Sequence, residues 1–262
     1  MDLHLTGKAA VVTGASKGIG LAVTAALAEE GASVAAGARE ITEDLSQLAV
    51  RLHVHPVPVD LSTLDGPGRL VGETVARFGR LDIVINNVGA VHPRIGGFLS
   101  ITDDDWMATM TIDLFTAIRT TRAALPHLLE QGSRTIVTTC SVNAFLPDPL
   151  VMDYSAAKGA LANFCKALSK EVGPKGIRVN TVSPGPVATD LWLGKDGVAA
   201  TIARAGNGQP DSVAQQAAKD AVTGRFTSPQ EVADLVVFLA SDRAANVTGA
   251  DFVIDGGMIA TL

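Results

Sequence analysis

The sequence has a single tyrosine, two tryptophans and two cysteines in 262 residues, and aromatic residues make up only 4% of it. Two cysteines build neither a disulfide framework nor a zinc site. Cys140 and Cys165 each lie in an apolar segment, so both are expected as core thiols. No basic run stands out: 21 Lys and Arg stand against 27 Asp and Glu, for a net charge of -6. That balance excludes the electrostatic footprint of a nucleic-acid binder. No stretch reaches the roughly 18 apolar residues of a membrane span. Residues 1–8 are short and polar, which predicts no secretory signal and a cytoplasmic location. His53 and His55 alternate along one run with no further ligand in view, so no metal is expected.

What is present is apolar material. Hydrophobic residues make up 47% of the chain and charged ones 18%, enough for a large core. Short β-branched runs at 9–13, 33–36, 52–58, 81–86, 134–139, 178–182 and 252–254 read as strands. Several are apolar on both faces, as strands inside a parallel sheet must be. Helix-periodic segments lie between them near 18–30, 40–49, 62–78, 103–130, 153–172 and 229–240. The alternation predicts an α/β fold: one doubly wound, parallel sheet of about seven strands with helices on both faces. Thr102 before Asp103, Asp104 and Asp105 reads as a helix cap with carboxylates at the positive dipole end, and Ser228-Pro229-Gln230-Glu231 opens another helix. No repeat or linker divides residues 1–262, so a single dinucleotide-binding domain is expected. The glycine-punctuated stretch near 190–224, with a helical piece around 212–222, is expected to be a mobile lid over the substrate.

Directly after the first strand stands Thr13-Gly14-Ala15-Ser16-Lys17-Gly18-Ile19-Gly20, followed by an alanine-rich helix. Gly14 permits a sharp turn, Gly18 lets backbone approach a pyrophosphate, and Gly20 lets helix and strand pack closely. The helix start then offers N–H groups to phosphates. After the second strand the chain reads Ala36-Gly37-Ala38-Arg39, with no carboxylate until Glu40. An acidic residue there would accept from the ribose of NAD(H). Arg39 instead offers a fork for a 2′-phosphate, with Lys17 as a second cation, so NADP(H) is expected in preference to NAD(H).

Tyr154 and Lys158 are four residues apart at the start of a predicted helix and so share one face. A phenol near pKa ~10 is a poor acid or base at neutral pH. The neighbouring ammonium is expected to favour the phenolate and bring Tyr154 toward useful strength. Ser141, just beyond the fifth strand, can hold a substrate oxygen beside the phenol. The three together predict hydride exchange between a nicotinamide and a carbonyl or alcohol.

On these motifs the chain resembles the short-chain dehydrogenase/reductase family over nearly its whole length. Asp60-Leu61, Asn86-Asn87-Val88-Gly89 and Pro184-Gly185-Pro186-Val187-Ala188-Thr189 add to the likeness. The resemblance implies a seven-stranded Rossmann-type fold and a homotetramer or homodimer. It implies that Gly14, Ser16, Lys17, Gly18, Ile19 and Arg39 bind the cofactor, that Asp60 and Leu61 contact adenine, and that Asn87 and Gly89 pass along the cofactor. Pro184, Gly185, Val187 and Thr189 would hold the nicotinamide end. Tyr154 would be the acid–base, Lys158 would also bind the nicotinamide ribose, and Ser141 would stabilise substrate. Two positions depart from the family pattern. Asp113 stands where the family commonly has an Asn whose backbone helps hold a relay water. Asp113 can replace it if the carbonyl does that work, whereas a side-chain role would make the relay differ. Val88 replaces a usual alanine, a small enlargement.

Phe98, Phe145, Leu146, Trp192 and Leu193 are expected near the substrate, which gives the pocket apolar character; Phe145 and Trp192 are expected to contact the substrate together with Ser141. His92 lies near the pocket mouth, and Arg94 is placed either against an anionic group or in solvent. A 3-oxoacyl-thioester reductase is the specific alternative. It calls for basic residues where an acidic carrier would dock; residues 128–133 offer none, though Arg134 and Lys170 are near. The alternative from another class is a catalytically silent, NADP(H)-binding regulator, and the intact Ser141, Tyr154 and Lys158 argue for the enzyme. Substrate identity and stereochemistry are not legible.

Overall fold

The computed structural model describes residues 2–130 and 134–260. Residues 131–133, part of the stretch read above for carrier docking, lie outside the described residues. Seven strands form one parallel sheet: β1 (Ala9–Thr13), β2 (Ser33–Ala38), β3 (Val54–Pro58), β4 (Ile83–Asn86), β5 (Arg134–Thr139), β6 (Ile177–Pro184) and β7 (Asp251–Ile254). Their order is β3-β2-β1-β4-β5-β6-β7, so the sheet reverses direction of growth between β1 and β4. A crevice opens at such a switch point, beyond the carboxyl ends of the strands.

The helices are α1 (Gly18–Glu29), α2 (Glu43–Arg51), α3 (Gly66–Phe78), α4 (Asp103–Met110), α5 (Thr116–Leu129), α6 (Met152–Val172), α7 (Asp190–Leu193), α8 (Val198–Ala205), α9 (Pro210–Lys219) and α10 (Pro229–Ala240). Successive strand residues feed opposite cores, as the two-residue period of a strand requires. Ala10 and Val12 join α1 and α10 on one face. Val11, Ala35 and Val57 join α3, α5 and α6 on the other. Cys140 and Cys165 are buried and unbridged, and burial pushes their thiols up to about 12 and about 11.

The strands fall within a few residues of the expected runs, and the differences have local causes. β3 carries Pro56 and Pro58, which an edge strand tolerates because one side needs no ladder donors. It starts at Val54 rather than 52 because Leu52 ends α2, its N–H donating to the Leu48 carbonyl at 2.9 Å. β6 runs on to Pro184 with all eight residues buried. Thr102 and Ser228 do cap α4 and α10, each in a reciprocal capping box with Asp105 and Glu231.

Two expectations need correction. The helix expected over 103–130 is interrupted by a π-helical turn at Thr111–Phe115, which separates α4 from α5 and carries Asp113. Inserted π turns cluster at functional sites, and no hydrophobic period reveals one. The stretch near 190–224 is not one helical piece among loops but three short helices, α7, α8 and α9. Among the described residues no helix is long and apolar enough to cross a membrane, and no group of His, Cys, Asp or Glu could hold a metal ion.

Candidate active site

A cleft of about 1640 Å³ lies over the carboxyl ends of the strands. That exceeds the usual volume of a small-ligand pocket and leaves room for a dinucleotide with a substrate beside it. At one end is the turn after β1. Gly14 and Gly18 have φ of +68° and +56°, a left-handed conformation that side-chain-bearing residues rarely adopt. At Gly20 a Cβ would collide with the Gly14 carbonyl and the Asn87 side chain, so that position requires glycine for space. No side chain caps the start of α1, which leaves its first N–H groups to the cleft. These residues fit a pyrophosphate.

Asn87 does more than border the cleft. Its amide donates to the carbonyls of Thr13 and Gly14 at 3.1 and 3.2 Å, and its backbone N–H donates to the Thr13 hydroxyl at 2.9 Å. It fastens the end of β4 to the turn, a bracing role that spacing alone does not reveal. Val88 is accommodated against the core on the α3 and α5 side. Thr189 packs across the turn from the far wall: a Cβ on Gly18 would lie 3.2 Å from its methyl group. Lys17 reaches the same wall through Asp190, at 3.6 Å.

Arg39 is exposed at the end of β2 and lines the cleft with Ser16 and Ile19. Asp60 accepts from the N–H and hydroxyl of Ser62 at 2.9 and 2.7 Å. Those bonds, with a smaller contribution from Arg39, hold its carboxyl below the usual range. Leu61 is buried while still bordering the cleft. Pro184, Gly185 and Val187 form the opposite wall, held by Ala188 donating to Thr227 at 2.8 Å and Thr227 donating to Pro186 at 3.0 Å.

The other end gathers the polar trio. Ser141 follows β5, and its hydroxyl accepts from the Asn143 N–H at 3.1 Å, donates to Asn143 Oδ1 at 3.2 Å and lies close enough to the Tyr154 phenol to lower it slightly. Lys158 lies one turn along α6, its Nζ 5.5 Å from the Tyr154 ring centre, and donates to the Thr139 carbonyl at 3.2 Å. Asp113 comes up from the π turn with Oδ1 3.7 Å from the same Nζ. Oδ1 also accepts from the Ala90 N–H at 3.2 Å. Gly89 makes this approach possible, since a Cβ there would lie 2.8 Å from Oδ1 and 3.4 Å from Nζ.

The electrostatics differ from the expectation. Burial pushes the Tyr154 phenol up, Lys158 pulls it down, and Asp113 pushes it up again, so the net direction is upward. Burial comes first among these causes, and of the two charges Lys158 acts more strongly than Asp113. The cation is four residues from Tyr154 in sequence, whereas the Asp113 carboxylate reaches it only through the fold. Lys158 is buried, which disfavours the ammonium, but Tyr154 and Asp113 together raise it above its ordinary value. Burial takes Asp113 up to about 6 despite the opposing pull of Lys158.

The substrate end needs two corrections. Phe145 does not line the cleft: it ends the short helical turn Val142–Ala144 with half of its surface in solvent, while Leu146 borders the cavity. Phe98 and Leu193 are likewise outside it. Arg94 borders the cleft but is tied up within the protein rather than left to solvent. It is bound by Asp153 at 2.5 Å and Asp105 at 2.9 Å, and ties the loop after β4 to the start of α6. Trp192 does border the cleft, its ring 5.5 Å from that of Phe226, as do His92 and Leu191.

The family model described as enoyl-(acyl carrier protein) reductase matches residues 14–259. The chain belongs to the short-chain dehydrogenase/reductase family. A 3-oxoacyl-(acyl-carrier-protein) reductase of Thermotoga maritima is 31% identical over 261 residues, covering 98% of this chain and 100% of that one. Meso-2,3-butanediol dehydrogenase of Serratia marcescens is 31% identical, covering 99% and 97%. Among solved structures, L-sorbose reductase from Gluconobacter frateurii, complexed with NADPH and L-sorbose, superimposes with a TM-score of 0.91 at 33% identity over the whole of both chains. As a member of this family the chain is an oxidoreductase acting on CH–OH or C=O groups, with a nucleotide cofactor and a small-molecule substrate.

Proposed function

We propose that the protein is an NADP(H)-dependent oxidoreductase in which Tyr154 exchanges a proton with the oxygen of a carbonyl or alcohol substrate. The observation that carries this reading is the shared wall of the cleft: Ser141, Lys158 and the only phenol in the chain line it together, with the Lys158 ammonium 5.5 Å from the centre of the Tyr154 ring. When bound, a nicotinamide supplies or accepts the hydride. In reduction, the Tyr154 hydroxyl gives its proton to the carbonyl oxygen as negative charge develops there, and Lys158 stabilises the phenolate left behind. Ser141 donates a hydrogen bond to the same oxygen and fixes it beside the phenol. Alcohol oxidation runs the same transfers backward.

NADP(H) is favoured over NAD(H) by Arg39, exposed at the end of β2 with no carboxylate before Glu40. The NADPH complex of L-sorbose reductase agrees with that choice. Leu146, Leu191 and Trp192 give the substrate end apolar walls, while Asn143 and His92 add polar groups. This mixture suits a small ketone or hydroxyketone with some apolar surface. We take the whole chain as one domain with α7 to α9 as the substrate lid. A 3-oxoacyl thioester is less well supported, because Arg134, one of two cations near the docking stretch, is buried.

The test is a panel of ketones, ketoses, polyols and acyl thioesters followed by NADPH absorbance. Turnover of at least one small carbonyl with NADPH is expected. Tight NADPH binding with no turnover across the panel would favour the silent regulator instead.

A further inference from the structure

The carboxylate of Asp113 is satisfied at one oxygen only. It is buried with 1% of its surface exposed, and Oδ2 has no hydrogen-bond partner. A buried carboxylate left half-satisfied is costly, and a neutral side chain of the same shape would hold the π turn at lower cost. Its charge has a neighbour: Lys158 Nζ at 3.7 Å, both side chains being buried. Gly89 leaves the gap that this approach needs. The ammonium is thus shared among a carbonyl, a carboxylate and the phenol.

Resting on the proton-transfer reading above, we propose that Asp113 is a positioning residue that sets the working pH of Tyr154: its carboxylate offsets the Lys158 charge, keeps the phenol protonated across neutral pH, and so readies the site for carbonyl reduction. The equilibrium between substrates is untouched, since both directions use the same groups. What moves is the pH range in which each direction runs. Reduction needs the protonated phenol and oxidation needs the phenolate.

The other charged or titratable groups facing this cluster do not substitute for Asp113. Cys140, at the end of β5, is kept a neutral thiol, its burial taking it up to about 12. Asp153, one residue before Tyr154, is neutralised by Arg94 and by the Thr109 hydroxyl. His92 sits at the cleft mouth on the exposed loop. Asp113 is left as the negative charge paired with Lys158. Its raised value of about 6 places its own titration below neutral, so it is charged at pH 7.

The test uses the whole protein and the fact that Tyr154 is its sole tyrosine. Ultraviolet absorbance of the phenolate is titrated in the wild type, in Asp113→Asn and in the smaller neutral variant Asp113→Ser. Removing this buried charge should lower the phenol titration by about one to two pH units. The upper limb of the kcat profile for reduction should move down by the same amount, and the lower limb of the kcat profile for oxidation should move down with it. A titration unchanged in whichever neutral variant folds overturns the proposal. So does a uniform loss of activity with no shift in the pH profile, which is the mark of a merely structural residue. Undiminished turnover in Tyr154→Phe would instead overturn the parent reading, and the absorbance titration does not depend on it.

Discussion

Arg94 and Asp153 form an ion pair at 2.5 Å one residue before Tyr154, with the Asp153 carboxylate almost fully buried. Asp105 and Thr109 complete the cluster, so loop, α4 and α6 meet at one point beneath the substrate end of the cleft. Removing one partner of such a pair leaves a charge buried without compensation. Arg94→Met should therefore cost about 3 kcal/mol in denaturant unfolding. Because the loop also borders the cleft, KM for the carbonyl should rise in the same variant. A stability equal to the wild type would contradict this account of Arg94.

The stability of the protein should carry an imprint of Asp113. Its folded value of about 6 lies above the ordinary 3.8 of an unfolded chain. Between those values the native state binds more protons than the unfolded state, so the group's contribution falls as pH rises from about 4 through about 6. Over that window the loss is on the order of 3 kcal/mol. Unfolding curves measured from pH 4 to pH 7 should therefore slope downward more steeply for the wild type than for Asp113→Asn, and parallel curves would contradict the assignment.

Cofactor choice is tested at Arg39. A charge-assisted bond to a 2′-phosphate is worth about 1.5–3 kcal/mol, so Arg39→Ala should raise KM for NADPH by about tenfold or more. KM for NADH should hardly change, having no such phosphate to lose. An equal effect on both cofactors would remove Arg39 from phosphate recognition.

Space at the glycine turn gives a further check. Gly20 faces backbone and the bracing Asn87 amide, neither of which can move aside. Gly20→Ala should weaken NADPH binding measured by fluorescence and destabilise the fold by about 1–3 kcal/mol.

Much of this was legible before any coordinates. The alternation of apolar runs and helical periods fixed the number and near-boundaries of the strands, because burial on both faces leaves a strong mark on β1, β4 and β6. The turn around Gly14 and Gly18 was legible for a similar reason, since left-handed backbone selects its residues. Contacts made by long side chains across elements were not. Arg94 finding Asp153, Phe145 turning outward while Leu146 faces the cleft, and Asp113 approaching Lys158 through the gap at Gly89 all depend on tertiary distance. The π turn escaped because adding one residue to a helical turn breaks no residue preference. Local spacing shows the effect of Lys158 on the phenol, whereas the opposing charge comes from a residue forty-odd positions away in sequence.

The central claim is that the Tyr154 hydroxyl moves the proton. Turnover by Tyr154→Phe, measured with NADPH and the best carbonyl from the panel, tests it most directly. The variant keeps the ring and removes only the hydroxyl, so NADPH binding should persist while kcat falls by about a hundredfold or more. A kcat equal to that of the wild type would show that the proton comes from elsewhere.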